Sequence, residues 1–336
     1  MAIFETAPWQ PGSSTFKRVF VTGATGTLGS NVLKRLACDP RYQVIAPVRD
    51  LHSQVVSDLR GSVQFIELEL CDAVHTAQIF ERANPEIILH CAATGLRPPS
   101  GSWFELMHFN VESTMRLFEM NCRIEHRTRF IYISSGLAYR EQGRALREAD
   151  PLGTLHPYGA SKAAADAMLQ AAAAGFKRDL TILRPFTFTG PHDGGKRLFP
   201  LILEAAQLGR ALALTVGTQI RDFCSVDDIA DAVLRVMEQK QENLIEIFNL
   251  GSGDSQSLRT IIEDIRMELE LNVRLEFGKV PLPPYEPHHL VADVSHVREV
   301  LGWKPTTKLA YSIWQLAQEI TPGLRLRKPE RFREHV

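Results

Sequence analysis

The chain has 336 residues, 44% of them apolar, and 38 basic residues against 39 acidic ones, for a net charge of −1. That balance, with no basic run, argues against nucleic acid or an anionic membrane surface as a partner. The length suits one large α/β unit with a smaller companion, and no apolar run is long enough to span a bilayer.

The N-terminal stretch MAIFETAPWQPGSST carries an acid early and has no apolar h-region, so it reads as a loose arm and not a signal peptide. RVFVTG (18–23) is a short β-branched run ended by glycine, and a helical pattern follows from about 28 to 38. YQVIAPV (42–48), SVQFIEL (62–68), EIILHCA (86–92), RFIYIS (129–134) and LTILRP (180–185) read as further strands, with helical segments between most of them. Strands this continuously apolar are buried on both faces. The alternation predicts an α/β fold of Rossmann type, a doubly wound parallel sheet. After Pro185 come a loop, a helix near 197–208, the short strand ALALT and the segment RDFCSVDDIADAV. LIEIFNLGSG (244–253) reads as one more core strand, followed by a helix near 257–269, a strand near 271–277, the proline-rich VPLPPYEP and two short helices. The expected division is a dinucleotide-binding domain of 1–185 plus 222–255, and a smaller C-terminal substrate-binding lobe of 186–221 plus 256–336.

Cys38, Cys71, Cys91, Cys122 and Cys224 are widely spaced, with no CxxC. They read as reduced, buried thiols of a cytoplasmic protein, and no metal site is expected.

The stretch VTGATGTLGS sits between the first strand and its helix. Glycine there lets the main chain approach a pyrophosphate, which then rests on the positive end of the helix. Gly23, Thr25, Gly26, Thr27, Leu28 and Gly29 are the candidate dinucleotide contacts. The end of the second strand faces the adenosine ribose, and it carries Arg49 and then Asp50. Arginine in the earlier position points to NADP, with NAD left open by the acid.

In PYGASKAAADA, Tyr158 and Lys162 share one helix face at i,i+4. A phenol ionises near ~10. A nearby ammonium and the positive ring of an oxidised nicotinamide are expected to lower that value, so that the phenol exchanges a proton with a substrate oxygen. Ser134 and Ser135, at the end of the fifth strand, offer hydroxyls to hold that oxygen.

Together these motifs resemble the extended short-chain dehydrogenase/reductase family, the nucleotide-sugar epimerase and dehydratase group. The resemblance covers roughly 17–318: TGATGTLG, HCAA, the Asn110 of NVEST, ISSGLAY, YGASK, LRPFTFTGP, RDFCSVDDIADAV, NLGSG and LGWKP occur in the family's order. It implies that Ser135 is the catalytic hydroxyl, Tyr158 the acid/base and Lys162 the residue on the nicotinamide ribose. Asn110 is implied as support for the lysine and a proton relay. Glu69 and Leu70 fall beside the adenine, and Ala92, Ala93 and Pro185 beside the rest of the cofactor. Ser135, Gly136, Thr187 and Arg221 are implied substrate contacts, with Arg221 on a diphosphate. Family members often dimerise through the helix after the fourth strand and the tyrosine helix, so a homodimer is expected.

Departures bear on the substrate. The family's 4,6-dehydratases carry Asp-Glu after the catalytic hydroxyl, whereas Gly136 and Leu137 follow Ser135 here, which speaks against elimination. Thr187 replaces an asparagine, and HHLVAD (288–293) lacks the usual arginine; His288 or His289 stands near its place. His90 reads as a core histidine. The expected activity is NADPH-dependent reduction of a keto sugar linked to a nucleotide. The alternatives are an epimerase with tightly held NAD and, more remotely, a non-catalytic dinucleotide sensor.

Overall fold

The computed structural model describes residues 16–95 and 102–333. The N-terminal arm and much of the expected 94–103 pocket loop lie outside the described residues. Seven strands form one sheet: β1 Lys17–Thr22, β2 Tyr42–Val48, β3 Gln64–Glu67, β4 Ile87–His90, β5 Arg129–Ile133, β6 Leu180–Pro185 and β7 Ile245–Leu250. Their order is β7-β6-β5-β4-β1-β2-β3, and every pairing is parallel. Strand order reverses between β1 and β4, where Thr22 lies opposite His90. That carboxyl-end crevice is where doubly wound sheets receive ligands.

The apolar strands bury both faces. One core joins Val19, Val21, Leu89 and Ile131 to the helices Thr27–Ala37 and Val226–Glu238, and the other joins Phe20, Phe118, Phe130 and Ile182 to the tyrosine helix, Pro157–Phe176. A third cluster gathers Phe199, Leu203, Ile262, Leu269, Ile313 and Leu316 from the C-terminal half. Leu290, Ala292, Val297 and Trp303 return to the first core. No helix among the described residues is long and apolar enough to cross a membrane. All five cysteines are free, but only Cys224 is buried as expected; Cys71, Cys91 and Cys122 are partly exposed, and Cys38, at the end of the first helix, is exposed.

Candidate active site

The glycine loop is shaped by close approaches. Gly23 has φ +65°, and a Cβ there would lie 2.6 Å from the Ala92 nitrogen; at Gly29 a Cβ would lie 2.1 Å from the Gly23 carbonyl oxygen. No side chain caps the helix that starts at Thr27 and no acid occupies its first turn. Its leading N–H groups therefore remain for an anion. A bare-backbone cradle ending on such a helix fits the pyrophosphate of a dinucleotide.

The tyrosine helix begins with Pro157 at its first turn, and His156 Nδ1 accepts from the Gly159 N–H at 3.4 Å. A Cβ on Gly159 would lie 2.1 Å from the Leu137 carbonyl oxygen. The helix thus presses directly on the turn that follows Ser135. Gly136 is fixed from the other side, since a Cβ there would meet the Phe186 ring at 2.8 Å. These contacts bring Ser135 and Tyr158 to one wall.

The two strand-end serines differ in role. Ser134 Oγ donates to Asp166 at 3.1 Å, and Asp166 is held by the buried Arg184 at 2.9 and 3.1 Å. Ser135 Oγ accepts from the Leu137 N–H at 3.1 Å, which leaves its own proton for another acceptor.

A hydrogen-bonded thread ties the sheet to the tyrosine helix. Thr114 Oγ1 donates to the Asn110 carbonyl at 2.8 Å, so it accepts from His90 Nε2 at 2.8 Å. His90 Nδ1 then accepts from Thr22 Oγ1 at 2.7 Å, which fixes a neutral tautomer. Burial, and secondarily Lys162, pushes the His90 ring down to about 3. Asn110 Nδ2 donates to the Thr94 carbonyl at 2.9 Å and to Ser161 Oγ at 2.8 Å, and Ser161 Oγ donates to the Tyr158 carbonyl at 2.8 Å. Asn110 lies in a π-helical stretch, Met107–Glu112, whose wider turn seats its side chain between these partners.

Ser135, Tyr158, Lys162, Gly23, Gly26, Thr27, Leu28, Gly29, Arg49, Ala93, Pro185, Thr187 and Arg221 all line one cavity of about 850 Å³. Asn110, Thr25, Glu69, Leu70, Ala92 and Gly136 stand outside its wall. Of these, Asn110 and Gly136 act behind it through the contacts above, while Glu69 and Thr25 are exposed. His156, Arg197, Phe186 and Glu286 line the cavity without having been singled out from the sequence. The position of His156 two residues before Tyr158 was a usable signal; Glu286, in a proline-rich segment, gave none. Among the described residues no His, Cys, Asp and Glu cluster is placed to hold a metal ion.

The lowering of the phenol's pKa expected from the ammonium and an oxidised nicotinamide has to work against burial. Burial pushes Tyr158 up to about 12, and the opposing cation is Arg197. Lys162 is itself brought down to about 7 by burial, so near neutral pH it carries only part of a charge.

Residues 19–251 match the sequence model described as the NAD dependent epimerase/dehydratase family. The chain belongs to this family. Among its relatives is a UDP-glucose 4-epimerase of Streptomyces lividans, 28% identical over 316 residues, 86% of this chain and 92% of that protein. Another is a dTDP-D-glucose 4,6-dehydratase of Bos taurus, 28% identical over 269 residues, 76% of this chain and 74% of that protein. A UDP-glucuronic acid 4-epimerase from Bacillus cereus, solved with UDP-glucuronic acid and NAD, superposes with a TM-score of 0.80 at 25% identity. The match covers 91% of this chain and 99% of that one. The family assignment places the chain among extended short-chain dehydrogenase/reductase enzymes with a Rossmann-type sheet.

Proposed function

We propose that the protein is an NAD-dependent epimerase of a nucleotide-linked sugar, with Tyr158 exchanging a proton with the sugar hydroxyl. The observation that carries this reading is the presence of Ser135, Tyr158 and Lys162 on the wall of the same cavity as the glycine loop. The family's description and relatives named as 4-epimerases of UDP-sugars favour epimerisation over the net keto-sugar reduction expected from the sequence.

When bound, the dinucleotide supplies hydride exchange and a positive ring. The chain's own groups do the rest. Ser135 holds the reacting oxygen with its uncommitted proton, and Tyr158 takes the hydroxyl proton and returns it to the same oxygen once the keto sugar has turned its other face to the cofactor side. Lys162 supports the phenol and the ribose from within the core, on the helix that the Asn110 thread ties to the sheet. Thr187 and Arg221 bind the substrate, and Arg221 takes the phosphates. Gly136 and Leu137 follow Ser135, where the family resemblance puts an Asp-Glu pair for elimination, and this favours epimerisation over dehydration.

A specific observation supports NADPH as a second reading for the cofactor: Arg49 lies on the cavity wall and is exposed beside Asp50. The dinucleotide is assigned to 1–185 plus 222–255 and the substrate lobe to 186–221 plus 256–336, with 290–303 crossing back onto the first core. A homodimer is supported by exposed Phe104, Met107 and Met168 on the two helices that family members pair. Five unpaired thiols support a cytoplasmic location.

The test is to measure the absorbance of dinucleotide that copurifies with the protein, and turnover on UDP- and dTDP-hexoses. Tight NAD with interconversion of epimers supports the reading; net consumption of NADPH with a keto sugar replaces it with the reductase. Tyr158→Phe should keep dinucleotide affinity and lower turnover by about 10²–10⁴-fold. Normal turnover in that variant rejects the proton route.

A further inference from the structure

We propose that Glu286 occupies the anion subsite at Arg221, so that a substrate's phosphates must displace this carboxylate in order to bind. The inference rests on the assignment of Arg221 to the phosphates. Arg221 is 5% exposed and shares the cavity wall with Glu286, Phe223 and Leu290. Its guanidinium is already committed: Nη1 donates to the Ile220 carbonyl at 2.7 Å, and Nη2 to the Pro287 carbonyl at 2.7 Å and to the Glu286 carboxylate. A buried guanidinium needs a counter-charge. The carboxylate here supplies what a phosphate oxygen would supply, an anionic acceptor for a forked donor.

The other arginine on the substrate side is also paired, but differently. Arg197 donates to Asp193 at 2.9 Å and to the Phe188 carbonyl at 2.6 Å. Asp193 is 1% exposed and stands off the cavity wall, so a ligand has no access to that pair's acid. Glu286 is different: its side chain keeps 28% exposure, and it faces the cavity.

The backbone on the N-terminal side of Glu286 is sparsely anchored. Residues 280–287 include Pro281, Pro283, Pro284 and Pro287, none of which has an N–H to anchor the segment. The Val280 N–H bonds the Leu214 carbonyl at 3.0 Å and the Glu286 N–H only the Pro283 carbonyl of the same segment at 3.0 Å, while Arg221 itself holds the Pro287 carbonyl at 2.7 Å and His288, just beyond, is fixed by Glu141 and Ile220. Tyr285 meets His156 edge-on with 5.3 Å between ring centres, and His156 meets Tyr158 edge-on at 6.4 Å. Displacing Glu286 therefore moves a segment that reaches the proton donor through two rings. Diphosphate and carboxylate cannot share one guanidinium without like-charge repulsion. Glu286 thus sets the affinity for the nucleotide part below what Arg221 alone would give, and it discriminates against ligands too weakly charged to compete.

The experiment is calorimetric titration of the NAD-saturated protein with uridine diphosphate and thymidine diphosphate. Glu286→Gln should bind at least one of them roughly tenfold more tightly than the unaltered protein, with NAD affinity unchanged. Glu286→Asp, which reaches Arg221 less well, should fall between the two. The gain should vanish when Glu286→Gln is combined with Arg221→Gln. Equal or weaker binding by both Glu286 variants, with NAD affinity retained, overturns the role of Glu286 and leaves the assignment of Arg221 standing. If neither nucleotide binds the unaltered protein or any variant, the phosphate assignment of Arg221 falls, and this inference with it.

Discussion

The Lys162 ammonium lies 4.3 Å from the centre of the Tyr132 ring, and both side chains are fully buried. The ring face is the amine's close neighbour, a weak substitute for lost water. Burial accordingly brings Lys162 down to about 7 from 10.5. Between those values the unfolded chain holds a proton that the folded protein has released, so stability rises with pH through that window. The penalty is complete below about pH 7. Lys162→Met should therefore stabilise the fold by on the order of 3–5 kcal/mol at pH 6.5. The advantage should fade by about pH 10.5, while turnover is lost throughout. Urea unfolding at pH 6.5 and 9.5 checks this; a pH-independent difference contradicts it.

The pH signature of His90 has the same sign in a lower window. Its folded value near 3 lies below the usual 6.5, so its contribution is present above about pH 6.5 and is lost as pH falls towards 3. His90→Leu strands the Thr22 and Thr114 hydroxyls and should lower stability by about 2–4 kcal/mol at pH 7.5. The gap to the unaltered protein should narrow on acidification to pH 4.5. A constant gap over that range counts against a neutral, doubly bonded ring.

Gly29→Ala places a methyl carbon 2.1 Å from the Gly23 oxygen, so the loop must move. Dinucleotide affinity should fall by more than roughly tenfold, with a stability loss of about 1–3 kcal/mol. Gly175→Ala, where the added carbon meets nothing within 4 Å, is the control. It should be neutral or stabilising by up to about 1 kcal/mol. Equal effects of the two substitutions on NAD affinity reject the cradle.

Arg49→Glu distinguishes the cofactors. If Arg49 pairs with a 2′-phosphate, the substitution weakens NADPH by roughly 10–100-fold and NADH little, because a charge-assisted hydrogen bond becomes a repulsion. Equal weakening of both, measured by fluorescence titration, removes the argument for NADPH.

Much of the scaffold was legible in the sequence. The strand at 180–185 and the short helix near 197–208 follow directly from apolar runs and proline punctuation. The glycine loop and the Tyr158–Lys162 spacing are local features, and local spacing survives folding. The choice of Ser135 over Ser134 comes from the family resemblance and not from the spacing; the structure adds that the Ser134 hydroxyl is committed to Asp166, although both serines line the cavity. The burial of the phenol was not legible for a related reason: spacing reveals that an amine is near but not that both groups are out of water. Glu286 reaches Arg221 across 65 residues of sequence, a distance at which no periodic signal operates. The π-helical turn around Asn110 escaped because it is a wider winding of an ordinary helical pattern.

The thread from Thr22 through His90, Thr114, Asn110 and Ser161 to the Tyr158 carbonyl has a mechanical corollary. It clamps sheet and helix as a single stiff frame, so the gap between alcohol and phenol is preset before any sugar arrives. Whatever breathing admits the sugar and lets it turn over must then fall to the periphery, on the side of the prolines, leaving the reacting geometry undisturbed.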